Sequence, residues 1–118
     1  MIALGINVKI TAPESARPLV RAVFEALGGR RESPNGRMDA FATDVGGHIG
    51  FDYVADAEAL TPAQLRIAPW LELVVDDVEV ARTRLEALGL ARLDYEDKTH
   101  PYFIGPGGFV FRLARAPR

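Results

Sequence analysis

The 118-residue sequence contains no cysteine. Disulfides, thiolate nucleophiles and thiolate-held zinc or iron–sulfur centres are thereby excluded. Basic residues are not in excess either: 14 Lys and Arg stand against 16 Asp and Glu, a formal net charge of −2. A nucleic-acid footprint needs a strong basic surplus, so none is expected. No run of like charge marks a membrane-surface helix, and no apolar stretch is long enough to span a bilayer. Residues 1–10 lack the basic start and long apolar segment of a signal peptide. The expectation is a cytoplasmic protein with no nucleic acid or membrane as partner. The sequence holds no Gly-x-Ser-x-Gly, His-Glu-x-x-His or phosphate-loop pattern.

What is present is a core and a repeat. Hydrophobic residues make up 48% of the chain, enough for one compact domain over residues 1–118. Residues 20–28 read VRAVFEALG and residues 81–89 read ARTRLEALG, an offset of 61. At the same offset Phe41 matches Tyr102, and Gly46-Gly47 matches Gly107-Gly108. Two separated anchors at one spacing indicate two copies of one structural unit.

Each copy reads as strand, helix and three strands. Ile6, Val8 and Ile10 alternate with Asn7 and Lys9, which predicts a half-buried strand from Leu4 to Thr11. A helix from Ser15 to Leu27 is expected, capped by Ser15 and stopped by Gly28. Leu19, Val20, Val23, Phe24 and Leu27 form its apolar stripe. Pro34-Asn35-Gly36 signals a turn before a strand from Met38 to Thr43. Gly46-Gly47 then turns the chain into a strand from His48 to Val54. In the second copy Trp70 to Asp76 is a strand, and Asp77 caps a helix with stripe Val78, Ala81, Leu85 and Leu88, stopped by Gly89. Leu90 to Glu96, Tyr102 to Gly105 and Phe109 to Ala114 are the strands that follow. The first module is thus residues 1–55 and the second 70–115. In the linker between them, 56–69, Thr61-Pro62-Ala63-Gln64 reads as a capping box opening a short helix.

The stretch WLELVVDDVEVARTRLEALG, followed by HPYFIGPGGFVFRL, resembles the second module of the glyoxalase/bleomycin-resistance/extradiol dioxygenase (vicinal oxygen chelate) superfamily. The Asp-Asp-Val helix start, the Ala-Leu-Gly helix end and the Gly-Pro-Gly-Gly turn carry the resemblance. It implies an α+β fold in which two βαβββ modules form an eight-stranded, half-open barrel-like sheet with helices outside and a concave ligand cleft. It also implies a homodimer.

Metal-dependent relatives place His, Gln or Glu on the first and last strands of each module. Carried over, those positions are Trp70 and Arg112 in the second module. In the first they are Asn7 or Lys9, and Phe51, with Asp52 replacing Phe51 if the strand slips by one residue. An indole nitrogen only donates, and a guanidinium is always positive, so no metal and no cofactor are expected. Leu71, Leu73 and Val75 share one strand face, as do Phe109, Phe111 and Leu113. Trp70 and Arg112 therefore lie on the opposite, concave side. A space-filling Trp70, and an Arg112 paired with Glu72, are the bland readings of these two. His48 and His100 each follow a turn, where a lone histidine is ordinarily solvated. The sharper reading has both lining the cleft and joining Glu72 or Asp52 in a metal or acid–base site.

These residues suggest binding without catalysis. Trp70, with Phe51 or Tyr53 and Tyr102 or Phe103, supplies flat walls for a small aromatic or conjugated molecule, an antibiotic among the candidates. Arg112, Asn7 and Glu72 orient it, and no catalytic residue is expected. The competing readings are a metal-dependent lyase, isomerase or dioxygenase-like enzyme with a rearranged site, and a regulatory or scaffold module.

Overall fold

The computed structural model describes residues 1–55, 58 and 60–116. The chain divides into two compact units, Met1–Ala57 and Glu58–Arg118. Asp56, Ala57 and Ala59 of the expected linker lie outside the described residues.

The first unit runs β1 (Asn7–Pro13), α1 (Arg17–Ala26), β2 (Arg30–Asn35), β3 (Met38–Ala42) and β4 (His48–Val54). Its sheet has the order β1-β4-β3-β2, with β1 parallel to β4 and the other pairs antiparallel. That is βαβββ connectivity: a helical crossover is what a parallel pair requires. Val20, Val23 and Phe24 of α1 are buried with Ala12, Phe41, Phe51 and Tyr53 of the sheet. Phe24 stacks on Phe41 with ring centres 5.1 Å apart and meets Phe51 edge-on at 5.2 Å. Each such ring contributes roughly 1.5–3 kcal/mol by leaving water. Gly28 closes the helix in the left-handed region, φ 89°.

Two boundaries differ from expectation. Ser15 does not cap α1: it sits inside a 3-10 turn, Glu14–Ala16, ahead of the helix, and the cap position falls on Ala16. β1 begins at Asn7, not Leu4, because its partner begins at His48, directly opposite Asn7. Upstream of that point there is no strand to pair with, and Met1, Ile2 and Leu4 are exposed.

The second unit runs α2 (Pro62–Ile67), β5 (Trp70–Val75), α3 (Val78–Ala87), β6 (Tyr102–Gly105) and β7 (Phe109–Arg115). Its sheet has the order β5-β7-β6, parallel across β5 and β7 and antiparallel across β7 and β6. The Asp77 carboxylate accepts from the Val80 N–H at 3.0 Å and starts α3. Ala81 and Leu85 of α3 are buried, as are Phe103, Phe111 and Leu113 of the sheet.

The strand expected over residues 90–96 is not formed. One isolated bridge joins Arg92 to Phe103, supported by hydrogen bonds from Leu93 N to Tyr102 O and from Ile104 N to Ala91 O. Beyond Leu93 the chain leaves the sheet edge and turns through a polar loop in which Lys98 pairs with Asp94 and Thr99 with Asp97. Among the described residues there are seven strands, in sheets of four and three, so the eight-stranded sheet is corrected to that count. None of the described helices is long and apolar enough to cross a membrane.

Candidate functional site

In the first unit the β4 alternation divides the candidate residues. Phe51 and Tyr53 point towards α1 and are buried in the core. Asn7, His48 and Asp52 belong to the opposite, open face, since Asn7 pairs with His48 and Thr11 with Asp52. Of the two strand registers weighed for this site, Asp52 is therefore the open-face residue. Arg37 binds it through two hydrogen bonds, 2.8 and 3.2 Å. His48 Nε2 lies 3.1 Å from Glu32, and the Asn7 side-chain oxygen accepts from the His48 N–H at 2.9 Å. The side chain of Lys9 turns to Thr11. Each of these polar groups already has a partner within its own sheet.

Beneath α1 lies a polar group that the sequence reading passed over. Asp39 is fully buried and receives both arms of the Arg21 guanidinium, at 2.8 and 3.1 Å. The Tyr53 hydroxyl donates to the same carboxylate at 2.9 Å, and Arg17 lies over the Tyr53 ring at 4.3 Å. Burial, together with this hydrogen bond, raises the Tyr53 phenol above its ordinary range. The signal was in the strand MDAFA: Asp39 shares the face of Phe41, so a carboxylate occupies a core position and needs a cation.

In the second unit Trp70, Glu72, Tyr102 and Arg112 share the sheet face opposite α3. Phe103 does not; it points to the α3 side and stacks on Phe111 at 5.6 Å. Arg112 is the centre of the open face. Its Nε donates to Glu72 at 2.8 Å, and its Nη1 donates to the Tyr102 hydroxyl at 3.1 Å and to Asp97 at 3.3 Å. Its guanidinium carbon stands 4.3 Å from the centre of the Trp70 ring. Trp70 in turn meets Tyr102 edge-on at 5.8 Å.

Asp97 was also passed over. It accepts from Thr99 N at 2.8 Å, from the Tyr102 hydroxyl at 3.1 Å and from Arg112, and His100 Nδ1 lies 2.9 Å from it. The Thr99 hydrogen bonds, then His100, hold its carboxyl well below the usual carboxylate range. His100 thus joins the open-face network through Asp97. His48 belongs to the sheet of the first unit.

This face is covered in part by α2. Leu65 is buried with Tyr102 and Val110, and Trp70, Leu93, Tyr95 and Ile104 pack around them. The helix forms locally because Thr61 and Gln64 make both bonds of a capping box, with Pro62 in the first turn.

Among the described residues no three His, Asp or Glu side chains gather to hold a metal ion. The Arg112 cation stands between Glu72 and Asp97 and lies over the Trp70 ring. The face presents the partly exposed Trp70 indole and a guanidinium held in place by Glu72, Tyr102 and Asp97.

No protein-family model matches the sequence, and no curated protein matches it. Solved structures do match the fold. A glyoxalase/dioxygenase from Nostoc punctiforme superposes with a TM-score of 0.72 at 16% identity, covering 96% of this chain and 90% of that one. The fosfomycin resistance protein FosX from Listeria monocytogenes, as an E126Q mutant with Mn(II) and a dihydroxypropylphosphonic acid, gives 0.72 at 16% identity over the same shares. A glyoxalase/bleomycin resistance protein from Albidiferax ferrireducens gives 0.68 at 12% identity, covering 98% of this chain and all of that one. The chain therefore has the fold of the glyoxalase/bleomycin resistance/dioxygenase proteins.

Proposed function

We propose that this chain binds a small aromatic or conjugated molecule on the open face of its second unit and does so without a catalytic metal. The observation that carries this reading is the Trp70–Arg112 stack at 4.3 Å. It puts an aromatic wall and an oriented cation at the two positions where metal-dependent relatives would hold ligands. A guanidinium already engaged by two carboxylates cannot ligate a metal and has no proton to give. It can stiffen the indole and keep the face flat. Sequestration asks for affinity alone, and antibiotic resistance is the property named for the Listeria and Albidiferax proteins.

Two experiments test the reading. Trp70 is the only tryptophan, so its fluorescence should change saturably on titration with flat aromatic compounds, antibiotics of that shape included. Elemental analysis of protein purified without a metal-binding tag should give zinc, nickel, manganese and iron below stoichiometry. One side-chain-bound divalent ion per chain would overturn it and favour an enzyme with a rearranged site.

The protein is also proposed to act as a two-fold dimer in the cytoplasm. Light scattering should give about twice the 12.9 kDa chain mass. A mass equal to one chain at every concentration would reject the dimer and leave the binding face as described.

A further inference from the structure

The face that carries Trp70 is closed from within its own unit. Among the described side chains of α2, only Leu65 is buried, at 3% exposure, while Ala63, Gln64, Arg66 and Ile67 stand in solvent. Among its described side chains, the helix thus meets the sheet through one apolar group, set against Tyr102 and Val110 with Trp70 and Tyr95 beside them. Its side chains add one polar tie to the rest of the unit, Arg66 Nη1 donating to the Asp94 carbonyl at 3.0 Å. A helix of six residues has little stability of its own. The Thr61–Gln64 capping box holds its shape locally, so it can leave the sheet as a preformed peg.

We propose that α2 is a lid: Leu65 occupies the place against Trp70 and Tyr102 that a ligand ring takes, and ligand entry requires its withdrawal. This rests on the reading that the Trp70 face is the ligand face. The apolar surface under Leu65 is aromatic on two sides, which suits a flat ring as well as it suits an isobutyl group. A closed lid lowers apparent affinity by the fraction of molecules that are open, and variants that loosen it should bind more tightly. If Leu65 is instead permanent core, loosening α2 weakens the unit and exposes nothing selectively.

The test uses the full chain in three forms: wild type, Leu65→Ala, and Thr61→Ala/Gln64→Ala, which removes both cap bonds and keeps Leu65. Acrylamide quenching of Trp70 reads the lid without a ligand. The neutral flat probe N-phenyl-1-naphthylamine reads the site, counting only binding that Trp70→Ala weakens. The lid predicts quenching raised by about two-fold or more in both variants, a retained cooperative melt, and probe affinity raised by about three- to ten-fold, the reciprocal of the closed-state penalty. Unchanged quenching in the cap variant, with only a lower melting point, overturns it. Weaker probe binding in Leu65→Ala also overturns it, because Leu65 would then be a wall of the site. Increased quenching with no probe binding in any form keeps the lid and counts against the binding reading. Should Leu65→Ala fail to fold, the cap variant decides alone.

Discussion

Arg112 and Trp70 act as one unit: the guanidinium carbon lies over the indole, 4.3 Å from its centre, while Glu72, Tyr102 and Asp97 take its N–H groups. The indole is held from one side by a cation whose own position is set by three partners on other segments. A cation–π contact at a partly exposed site is worth about 0.5–1 kcal/mol, so its effect is on orientation more than on stability.

Trp70→Ala should weaken binding of a flat ligand by about 1–3 kcal/mol, the range for aromatic anchors and ring stacking. The ring is only partly buried, so the variant should lose less stability than the roughly 3–5 kcal/mol of a fully buried aromatic. Urea denaturation and a fluorescence-independent binding assay, such as calorimetry, measure the two. A loss of stability in the full core range with unchanged affinity would make Trp70 a core residue.

Arg21→Ala should destabilise the protein more than Asp39→Asn. The first takes a guanidinium from a fully buried carboxylate, a loss of about 3–5 kcal/mol for a broken buried pair. The second removes the buried charge itself and leaves Arg21, whose side chain is 33% exposed, free to reach water. The remaining cost is about 1–3 kcal/mol for poorly satisfied polar groups. Equal midpoints in urea at neutral pH would contradict this order.

Asp97 gives the pH dependence its sign. Its carboxyl is lowered on folding by Thr99 and His100, so the folded form binds a proton less readily than the unfolded one. The stability it contributes is present above the ordinary carboxylate value, about 3.9, and is lost as pH falls below it. The melting point should fall from about pH 5 to about pH 3, and Asp97→Asn should flatten that fall. Tyr53 carries the opposite sign. Its phenol is raised on folding, so its contribution holds below about pH 10 and is lost as pH rises beyond that.

Two glycines at the start of β4 should respond in opposite ways. A Cβ on Gly47 would lie 1.8 Å from the Ile6 carbonyl oxygen, a backbone atom that cannot move aside cheaply. Gly47→Ala should cost at least the roughly 1–3 kcal/mol typical of overpacking. A Cβ on Gly50 meets nothing closer than 3.7 Å, and Gly50→Ala should be neutral or stabilising by about 0.4–1 kcal/mol. Thermal melts of both variants check the contrast.

Several failures of the sequence reading have one cause. Leu93 and Tyr95 alternate with Asp94 and Glu96, which reads as a strand, yet the chain leaves the sheet there. Tyr95 packs on Tyr102 at 4.6 Å, and Asp97 is bound by Tyr102 and Arg112. Alternation states that one side of a segment is apolar. It does not state that a partner strand is available. Phe51 and Tyr53 were expected at a ligand face for a related reason. Phe51 was assigned by alignment position and Tyr53 as an alternative aromatic wall, whereas the pairing of Phe51 with Ile10 and Asp39 sends both under α1.

By itself, the sequence determined the repeat, the βαβββ order of the first unit, the glycine stops at Gly28 and Gly89, the Asp77 cap and the capping box of α2. The repeat is read by comparing segments 61 residues apart, and the others depend on residues within a few positions of one another or on a period of two or 3.6. It also placed Trp70 and Arg112 on one side of their strands, since alternation settles sidedness. Only the tertiary structure decided what meets them there. Arg112 finds Asp97 fifteen residues away and Glu72 forty residues away, and Arg21 finds Asp39 at eighteen. Leu65 reaches Trp70 and Tyr102 from a helix that local pattern alone leaves without an address. Such pairings depend on the path the chain takes between distant segments, and that path leaves no periodic mark on the residues it brings together.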